Sequence, residues 1–393
     1  MWKWLVRSLF TLLCLTIVIL SYEIEVARKS KRFSVNIDLN EELFRQKVAA
    51  PAPEWMLRQI RKDLEPFAKQ RITSQMIDEN FHGKRSEEHG LNRFTVKNGW
   101  LTVSLSSNRL NNSGFRKMRA AIVKLQQLVP LPDVDFLISS IDGFDTNSGN
   151  FSCPVFVFSK RENLYPFVLM PDKKALRGYR DLKNEILQAN QNYPWERKKA
   201  ELFWRGGANG TFLSLENWDQ SPRIKLVLLS LAMPQEINAR LTNLLYLKHA
   251  SPKLKDTLLS KGLMGKWADK KDHLQYKYLI DIDGNACTFE RLFWLLTSNS
   301  VVLKQVTPSR QWYYGDLVPY RHYIPVKEDL SDLVQQLKWA RDHEEEAKKI
   351  AENATAFANT HLTPEDVYLY LYHLIVEYAK LQTGLWLQKG DRI

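Results

Sequence analysis

The alternation of strand and helix patterns constrains the fold of this chain more than any other feature of its sequence. Residues 278–305 run YLIDIDGNACTFERLFWLLTSNSVVLKQ, where an apolar strand pattern is followed by a turn of glycine and small polar residues, a helix and a second apolar strand. Two strands joined through a helix pair in parallel within one sheet. The segment therefore predicts an α/β fold, in which ligands bind beyond the carboxyl ends of the strands.

The same alternation continues through the body of the chain and predicts its domain organisation. Strand patterns occur in GWLTVSLSS, VDFLISSID, PVFVFSKR and LFWRGG, and helical spacing occurs in FRKMRAAIVKLQQLV and SPRIKLVLLSLAM. With 393 residues, 44% of them hydrophobic, the chain is long enough for two cores. We predict two doubly wound, Rossmann-like domains that face each other across a cleft. The predicted parts are residues 1–32 (a membrane anchor and its basic flank), 33–195 (N-terminal domain), 196–345 (C-terminal domain) and 346–393 (C-terminal helices).

The N-terminal segment, MWKWLVRSLFTLLCLTIVILSYEIEVARKSKR, is apolar between two groups of basic residues. From Trp4 to Ile24 it reaches the length of a membrane helix, and no small-x-small cleavage site follows, so we predict an uncleaved single-pass anchor. More basic residues follow the span than precede it, which favours a body on the cytoplasmic side of the membrane. A lumenal body is the alternative, in which four N-glycosylation sequons would be usable: Asn111, Asn150, Asn209 and Asn353.

The charge balance predicts an anionic partner. The formal net charge is +12, which suits anionic lipid, nucleic acid or a phosphorylated substrate. The basic residues are interleaved with 44 acidic residues, and the sequence contains no zinc-finger spacing, basic zipper or RNA-recognition signature. We therefore predict a membrane and a small phosphorylated ligand as partners, and no nucleic acid.

Two arginines occupy an unusual position, in the first turn of a predicted helix. Arg223 follows Ser221 as the N-cap and Pro222 as the first helical residue, and Arg291 opens the helix within residues 278–305. A cation there is unfavourable, because the N-terminus of a helix already carries partial positive charge.

The position becomes favourable when an anion lies between the guanidinium group and the backbone N–H groups of the helix. Each helix also follows a strand that ends in glycine, Gly206-Gly207 in the first case and Gly284 in the second. Two such helix ends predict a diphosphate site. The alternative is that each arginine is solvated or pairs locally, for example Arg291 with Glu290.

Several blocks together carry a resemblance to a known family. LFWRGGANG…SPRIKLVLLS, YKYLIDIDGNACTFERLFWLLTSNSVVLKQ and WYYGDLVPYRHYIPVKEDLSDLVQQLKWARDHEEEAKKIA resemble glycosyltransferase family 90 in order and spacing, over about residues 115–365. That family includes lipopolysaccharide-modifying and capsule-associated glycosyltransferases and the Rumi-type protein O-glucosyltransferases. SNSVVLKQ and LMPDKKALRGY resemble blocks of the lipopolysaccharide-modifying branch.

The resemblance implies a GT-B-like fold and inverting, metal-independent transfer without a cofactor. The C-terminal domain would bind a UDP-sugar, with glucose or xylose as the sugar, and the N-terminal domain would bind the acceptor. The implied acceptor is a hydroxyl of a cell-envelope saccharide or glycolipid such as lipopolysaccharide. A protein acceptor is one alternative, and a non-catalytic, membrane-tethered saccharide-binding protein is another.

The resemblance also implies roles for particular residues. Arg223 and Arg291 would contact the donor diphosphate, and Lys304 would reach the phosphates unless it is an ordinary strand-end charge. Further donor-binding candidates are Gly206, Gly207, Gly284, Thr288 and Tyr314. Tyr314 belongs to an aromatic run, Trp312 to Tyr314, that would stack on a sugar or uracil face or else lie in the core.

The candidate catalytic base is Asp142 in LPDVDFLISSIDGFD, because inverting transfer needs a carboxylate that takes the proton of the acceptor hydroxyl. Asp145 is the alternative base, since the Rumi-type RDYP reads IDGFD here. A structural role for Asp142, as a turn residue before Gly143, is also open.

Asp281 and Asp283 suggest a competing, metal-dependent transferase. Alternation along a strand puts both carboxylates on one face, where they would share a cation with a diphosphate. The resemblance implies neutralisation by arginines instead, so we predict no metal. His322 is predicted to be a hydrogen-bonded structural residue.

Overall fold

The computed structural model describes residues 37, 39–82, 84–105, 113–144, 151–210, 213–245 and 251–383. The predicted anchor and the alternative base Asp145 lie outside these residues. Within the described part of the chain, none of the helices combines the length and the apolar character that crossing a membrane requires.

The first half of the chain builds a mixed five-stranded sheet with helices around it. Its helices are α1 (Glu41–Ala49), α2 (Glu54–Leu64), α3 (Ser74–Phe81), α4 (Lys84–Glu88), α5 (Ser113–Leu128) and α6 (Arg180–Asn190). Its strands are β1 (Ile72–Thr73), β2 (Leu91–Lys97), β3 (Trp100–Leu105), β4 (Val134–Ser139), β5 (Val155–Val157), β6 (Lys160–Arg161) and β7 (Phe167–Leu169). The strand order of this first sheet is β3-β2-β4-β5-β7.

The first sheet differs from the predicted doubly wound arrangement at one end. β4, β5 and β7 are parallel, but β2 is antiparallel to both β3 and β4. β2 and β3 form a hairpin whose turn residues, Asn98 and Gly99, have φ values of 50° and 77°. An Asn-Gly pair between two strand patterns favours this turn, because both residues tolerate positive φ.

The second half builds an all-parallel five-stranded sheet, as predicted. Its helices are α7 (Pro222–Ala232), α8 (Pro252–Ser260), α9 (Lys270–His273), α10 (Glu290–Leu296), α11 (Leu333–Asp342), α12 (Glu344–His361) and α13 (Pro364–Ala379). Its strands are β8 (Lys199–Gly207), β9 (Ile237–Asn243), β10 (Tyr276–Asp281), β11 (Val301–Gln305), β12 (Ser309–Arg310), β13 (Ile324–Val326) and β14 (Gln382–Thr383). The strand order of this second sheet is β13-β11-β10-β8-β9, so the order reverses between β8 and β10.

The second sheet is buried on both faces, which explains its continuously apolar strands. Leu279 of β10 packs into a core shared with the first half, whereas its neighbour Ile280 packs into a separate core under α7 and α11. The five residues after Arg291, from Leu292 to Leu296, are all buried. The two halves are therefore joined by a continuous core beneath the cleft.

The C-terminal helices do not form a separate part, because they divide between the two halves. α12 packs against α10 and β11, whereas α13 packs against α1 and α2. β14 pairs with β1, and the Gln382 side chain hydrogen-bonds the backbone of Asp135 in β4 at 2.6 and 2.9 Å. The chain thus returns to the first half after it completes the second.

A short pairing also fixes the carboxyl edges of the two sheets opposite each other. β6 pairs antiparallel with β12, and Arg310 contacts Glu162 at 2.6 Å. Lys62 reaches the same carboxylate at 3.1 Å. The space between these two edges is the cleft.

Candidate active site

Two adjoining cavities lie in the cleft. The larger has a volume of 310 Å³ and is lined from both halves, with Phe144 and Arg161 on one side and Arg223 and Asp283 on the other. The smaller, of 200 Å³, shares Gln305 and Thr307 with it. Such volumes suit a small-molecule ligand, and the larger cavity opens at the switch point between β8 and β10, where α/β sheets bind ligands.

Arg223 lies where the sequence predicts, as the second residue of α7, with Pro222 first and Ser221 at the N-cap. Its guanidinium group donates to three backbone carbonyls: Gly207 at 3.0 Å, Ile282 at 2.9 Å and Asp283 at 3.0 Å. Arg223 is therefore buried between the loop after β8 and the loop after β10, and it holds them together while it lines the cavity.

The same two loops touch through glycines. Gly210 has a φ of 105°, and a Cβ atom there would lie 2.6 Å from the carbonyl oxygen of Gly284. A Cβ atom on Gly284 would in turn lie 2.7 Å from the side chain of Asn209 and 3.1 Å from that of Arg223. A side chain at Gly210 would separate the loops, since backbone atoms cannot yield as a flexible side chain can. Gly206 and Gly207 lie beneath this contact, where a Cβ atom would meet Trp204 at 2.4 Å and Asn243 at 2.8 Å.

Arg291 lies in the first turn of α10, as predicted, but its environment differs from that of Arg223. It donates a single hydrogen bond, to the carbonyl of Arg205 at 2.8 Å, and burial lowers the pKa of its guanidinium group, which Asp281 opposes. The local partner considered from sequence, Glu290, contacts Lys174 at 2.9 Å and Lys270 at 3.6 Å instead. Arg291 therefore retains N–H groups that have no acceptor among the described residues.

The structure brings the two predicted arginines together around one ring. The guanidinium carbon atoms of Arg223 and Arg291 lie 5.8 and 5.9 Å from the ring centroid of Trp204, which is buried in β8. Both distances are within the range of a cation–π contact. The two cations thus flank the carboxyl end of β8, beside the switch point.

Lys304 and Asp281 form a buried ion pair rather than an open site. The Lys304 ammonium lies 3.2 Å from Asp281 Oδ2, and Thr288 Oγ1 donates to Asp281 Oδ1 at 2.5 Å. Burial opposes the charge of Lys304, but the Asp281 and Asp283 carboxylates raise its pKa above the ordinary value. Lys304 also lies 4.5 Å from the ring of Tyr314, so Thr288 and Tyr314 both support this pair.

Asp283 is the member of the Asp281/Asp283 pair that lines the cavity. Thr307 Oγ1 donates to its Oδ2 at 2.6 Å, and its buried Oδ1 has no partner among the described residues. Burial raises the pKa of Asp283, as does Asp281, while Lys304 lowers it. The cation that these two carboxylates share in this structure is the Lys304 ammonium, which occupies the position considered for a metal.

Within the described ranges, no group of three or more His, Cys, Asp or Glu side chains is arranged to hold a metal ion. The absence of a metal in the reaction stays a prediction.

Asp142 lies on the loop after β4, at the carboxyl edge of the first sheet. Its side chain is 52% exposed and contacts the Lys173 ammonium at 2.8 Å. The two following residues, Gly143 and Phe144, line the larger cavity, and a Cβ atom on Gly143 would lie 2.8 Å from Ala286 across the cleft. An exposed carboxylate beside the cavity is accessible to an acceptor hydroxyl, so the position suits the predicted base.

Three further predictions concern aromatic and histidine side chains. Trp312 and Tyr313 are buried in the core, whereas Tyr314 lines the smaller cavity. His322 accepts a hydrogen bond from the backbone of Val318 at 3.0 Å, and burial lowers its pKa to about 4. His322 is therefore a neutral structural residue, as predicted.

Sequence reasoning missed several residues that line the larger cavity. Ser159, Arg161 and Thr307 come from short irregular segments around β6 and β12, which carry no periodic pattern. Asn209 and Gly210 follow the Gly206-Gly207 pair in GGANG, and this glycine-rich run was their only signal.

Comparison with known proteins places the chain in a family. The model of glycosyl transferase family 90 matches residues 50–385. Protein O-glucosyltransferase 2 of Danio rerio is 32% identical over 335 residues, which cover 82% of this chain and 62% of that protein. Protein O-glucosyltransferase 3 of Homo sapiens is 33% identical over 273 residues, covering 67% of this chain and 50% of that protein. The chain belongs to glycosyltransferase family 90.

The match spans only part of each relative, between half and about two thirds of its length in these examples and in human protein O-glucosyltransferase 1, at 64%. Among solved structures, HepE of Anabaena in complex with UDP and glucose aligns with a TM-score of 0.36 and 11% identity over 67% of each chain. That likeness is too weak to define the fold.

Proposed function

We propose that the chain is an inverting glycosyltransferase of GT-B-like architecture that transfers glucose from UDP-glucose to a hydroxyl group. The observation that carries this proposal is the pair of arginines that flank Trp204 at the switch point, across the cleft from the loop of Asp142. Family membership and the names of the relatives support a glucosyl donor. UDP-xylose is the second donor to test.

In this proposal the diphosphate of the donor lies at the carboxyl end of the second sheet. The backbone N–H groups at the start of α7 face the larger cavity, because Pro222 and Arg223 line it. Arg291 supplies guanidinium N–H groups that no described residue uses, and such groups bind phosphate through two parallel hydrogen bonds. Arg223 positions the two loops, and Lys304 with Asp281 keeps the strand ends neutral beneath them.

Asp142 acts as the general base. It takes the proton from the acceptor hydroxyl while that oxygen attacks the anomeric carbon, and UDP leaves with the electron pair of the broken carbon–oxygen bond. The leaving diphosphate is stabilised by Arg291 and by α7, and a fixed cation of this kind is most effective where charge develops. No metal is needed for these steps.

The proposed acceptor is a saccharide hydroxyl, as in a cell-envelope glycan such as lipopolysaccharide. A protein hydroxyl is the second candidate, because the relatives are named protein O-glucosyltransferases. Incubation with saccharides and with folded protein acceptors, followed by mass measurement of the product, separates the two candidates.

We also propose that residues 1–32 anchor the body at the cytoplasmic face of a membrane. The support is the apolar sequence and the basic residues that follow it. Carbonate extraction of membranes tests the anchor. Glycosylation at Asn209 or Asn353 would contradict a cytoplasmic body and support the lumenal alternative.

The decisive experiment measures UDP release by the full chain from a panel of UDP-sugars in EDTA. We expect release from UDP-glucose to persist in EDTA and to fall at least a hundredfold in Asp142→Asn. Asp145→Asn tests the alternative base, and Asp256→Asn, an exposed aspartate on α8, is the matched control.

Two results would contradict the proposal. UDP release from no donor would favour a non-catalytic saccharide-binding protein. Release that disappears on removal of metal alone would favour a metal-dependent reaction through Asp281 and Asp283.

A further inference from the structure

A group of basic side chains lies at the carboxyl edge of the first sheet, beside the proposed base. Lys173, Lys174 and Arg177 follow β7 and surround a short 3-10 turn, Ala175–Arg177. Lys117 approaches them from α5, and α5 packs against this turn. These four residues are called the basic cluster below.

The basic cluster has fewer acidic partners than cations. Lys173 contacts Asp142 at 2.8 Å, and Lys174 contacts Glu290 at 2.9 Å. Glu290 is shared with a further lysine, Lys270, at 3.6 Å. Neither the Lys117 side chain nor the Arg177 side chain has an ion pair or hydrogen bond with another described residue.

A third carboxylate lies beneath the basic cluster but does not neutralise it through ion pairs. Asp172 is buried, and it accepts hydrogen bonds from the backbone N–H groups of Lys174 and Ala175 and from the hydroxyl of Tyr179. Its oxygens are therefore occupied by the turn that carries the cations.

The cations of the basic cluster repel one another. The pKa of Lys117 is lowered, first by its partial burial and then by Lys174, Arg177 and Lys173. Like charges that lie close together destabilise the protein unless an anion binds between them. Their place is specific, because one member of the basic cluster already contacts Asp142.

The basic cluster is separate from the predicted diphosphate site. Arg223 and Arg291 flank Trp204 on the second sheet, whereas the basic cluster belongs to elements of the first half. In a reaction between a donor on one side of the cleft and an acceptor on the other, this arrangement puts the basic cluster on the acceptor side.

We propose that the acceptor is an anionic saccharide, whose phosphate or carboxylate group binds the basic cluster through Lys117, Arg177 and Lys173. This inference rests on the proposed function, since it names the class of acceptor. When the anion binds, Lys173 transfers from Asp142 to the acceptor, which leaves the Asp142 carboxylate free to accept the hydroxyl proton. The acceptor thereby carries the group that activates the base.

The test is calorimetric binding to the full chain without donor, using sugars paired by charge. The probes are glucose 6-phosphate, N-acetylglucosamine 6-phosphate and glucuronate, each beside its neutral parent. We expect at least one anionic sugar to bind more tightly than its parent, with an affinity that falls as salt rises. In Lys117→Gln/Arg177→Gln that affinity falls about tenfold, from the loss of two partly exposed charge contacts.

The matched control is Arg197→Gln/Lys253→Gln, which removes the same charge from exposed positions outside the cleft and leaves the affinity unchanged. The inference is overturned if no anionic sugar binds better than its parent, or if the control double variant weakens binding equally. It is also overturned if Lys117→Gln/Arg177→Gln raises KM for the UDP-sugar while binding of the anionic sugars is unchanged, because the basic cluster would then serve the donor.

Failure of the proposed function is recognised independently, by the absence of UDP release from every donor. Binding of an anionic sugar that depends on Lys117 and Arg177 in a chain without turnover would retain the site and reject the transferase.

Discussion

The two edges of the second sheet each bury a lysine, but they treat its charge in opposite ways. At the amino edge, Lys198 precedes β8 and its ammonium donates to the carbonyls of Leu274 and Ser298 and to the hydroxyl of Ser300, at 2.6, 3.3 and 3.0 Å. No carboxylate is among its described partners, and burial lowers its pKa to about 7. At the carboxyl edge, Lys304 pairs with Asp281 and its pKa is raised.

The difference shows where this fold maintains charge. Carbonyls and a hydroxyl group satisfy a lysine by hydrogen bonding, but they do not hold its proton against desolvation. Carboxylates do, so the carboxyl edge keeps a fixed array of charges next to the cavities. Such an array is suited to binding an ion, whereas the amino edge is suited only to packing.

The largest expected effect comes from breaking the pair at the carboxyl edge. Lys304→Met leaves Asp281 buried without a counter-charge, so we expect the free energy of unfolding to fall by about 3–5 kcal/mol. Urea denaturation at pH 7.5 measures it. Asp281→Asn/Lys304→Met is expected to recover most of the loss, because it removes both charges. A single variant as stable as wild type would contradict the comparison.

Arg291→Ala is expected to lower kcat by roughly 10²–10³-fold, as when a group that stabilises transition-state charge is removed. The unfolding midpoint should change little, because only the hydrogen bond to Arg205 is lost. Steady-state UDP release and thermal unfolding check the two parts. Arg291→Lys, which keeps the charge without the fork, should give an intermediate kcat. An equal loss of stability and activity would assign Arg291 a structural role instead.

Arg223→Lys should act in the opposite sense, mainly on stability. A lysine ammonium cannot reach the carbonyls of Gly207, Ile282 and Asp283 together as the guanidinium group does, so we expect a loss of about 2 kcal/mol. Thermal and urea unfolding measure it, with the exposed Arg197→Lys as control. An unchanged midpoint together with a raised KM for the donor would show that Arg223 binds the diphosphate directly.

The smallest effect is at the amino edge and depends on pH. Between pH 7 and the ordinary lysine pKa of 10.5, the unfolded chain binds a proton that folded Lys198 does not, so stability from this group rises with pH. The slope is at most about 1.4 kcal/mol per pH unit. Urea denaturation at pH 7.5 and 9 should show this rise in wild type and a smaller one in Lys198→Met. Identical pH dependence would contradict the lowered pKa.

The second half of the chain was predictable because its signals are local. Apolar strands, glycine-ended turns and the Ser221-Pro222 helix start each follow from a few consecutive residues, and they place Arg223 and Arg291 correctly. The partners of those arginines were not predictable, because Arg223 bonds a loop 60 residues away and Arg291 a carbonyl 86 residues away.

The first half was harder to predict for a similar reason. Asn98-Gly99 announces a hairpin, and that local signal outweighs the alternating pattern used for the whole chain. The side chain that neutralises Asp281, Lys304, was interpreted as a phosphate ligand because nothing in the sequence shows that the two residues are paired across β10 and β11.

The return of α13 to the first half has a consequence for how the protein is made. Tyr368, Tyr370 and Tyr378 are fully buried, and they donate hydrogen bonds to the carbonyls of Leu176, Leu169 and Asp135. During synthesis these carbonyls emerge about 190 to 240 residues before their partners, at a ribosomal rate of roughly 5–20 residues per second. The first half therefore waits some 10 to 50 seconds for its last helix, and the second half, although translated later, is the first to have all of its parts.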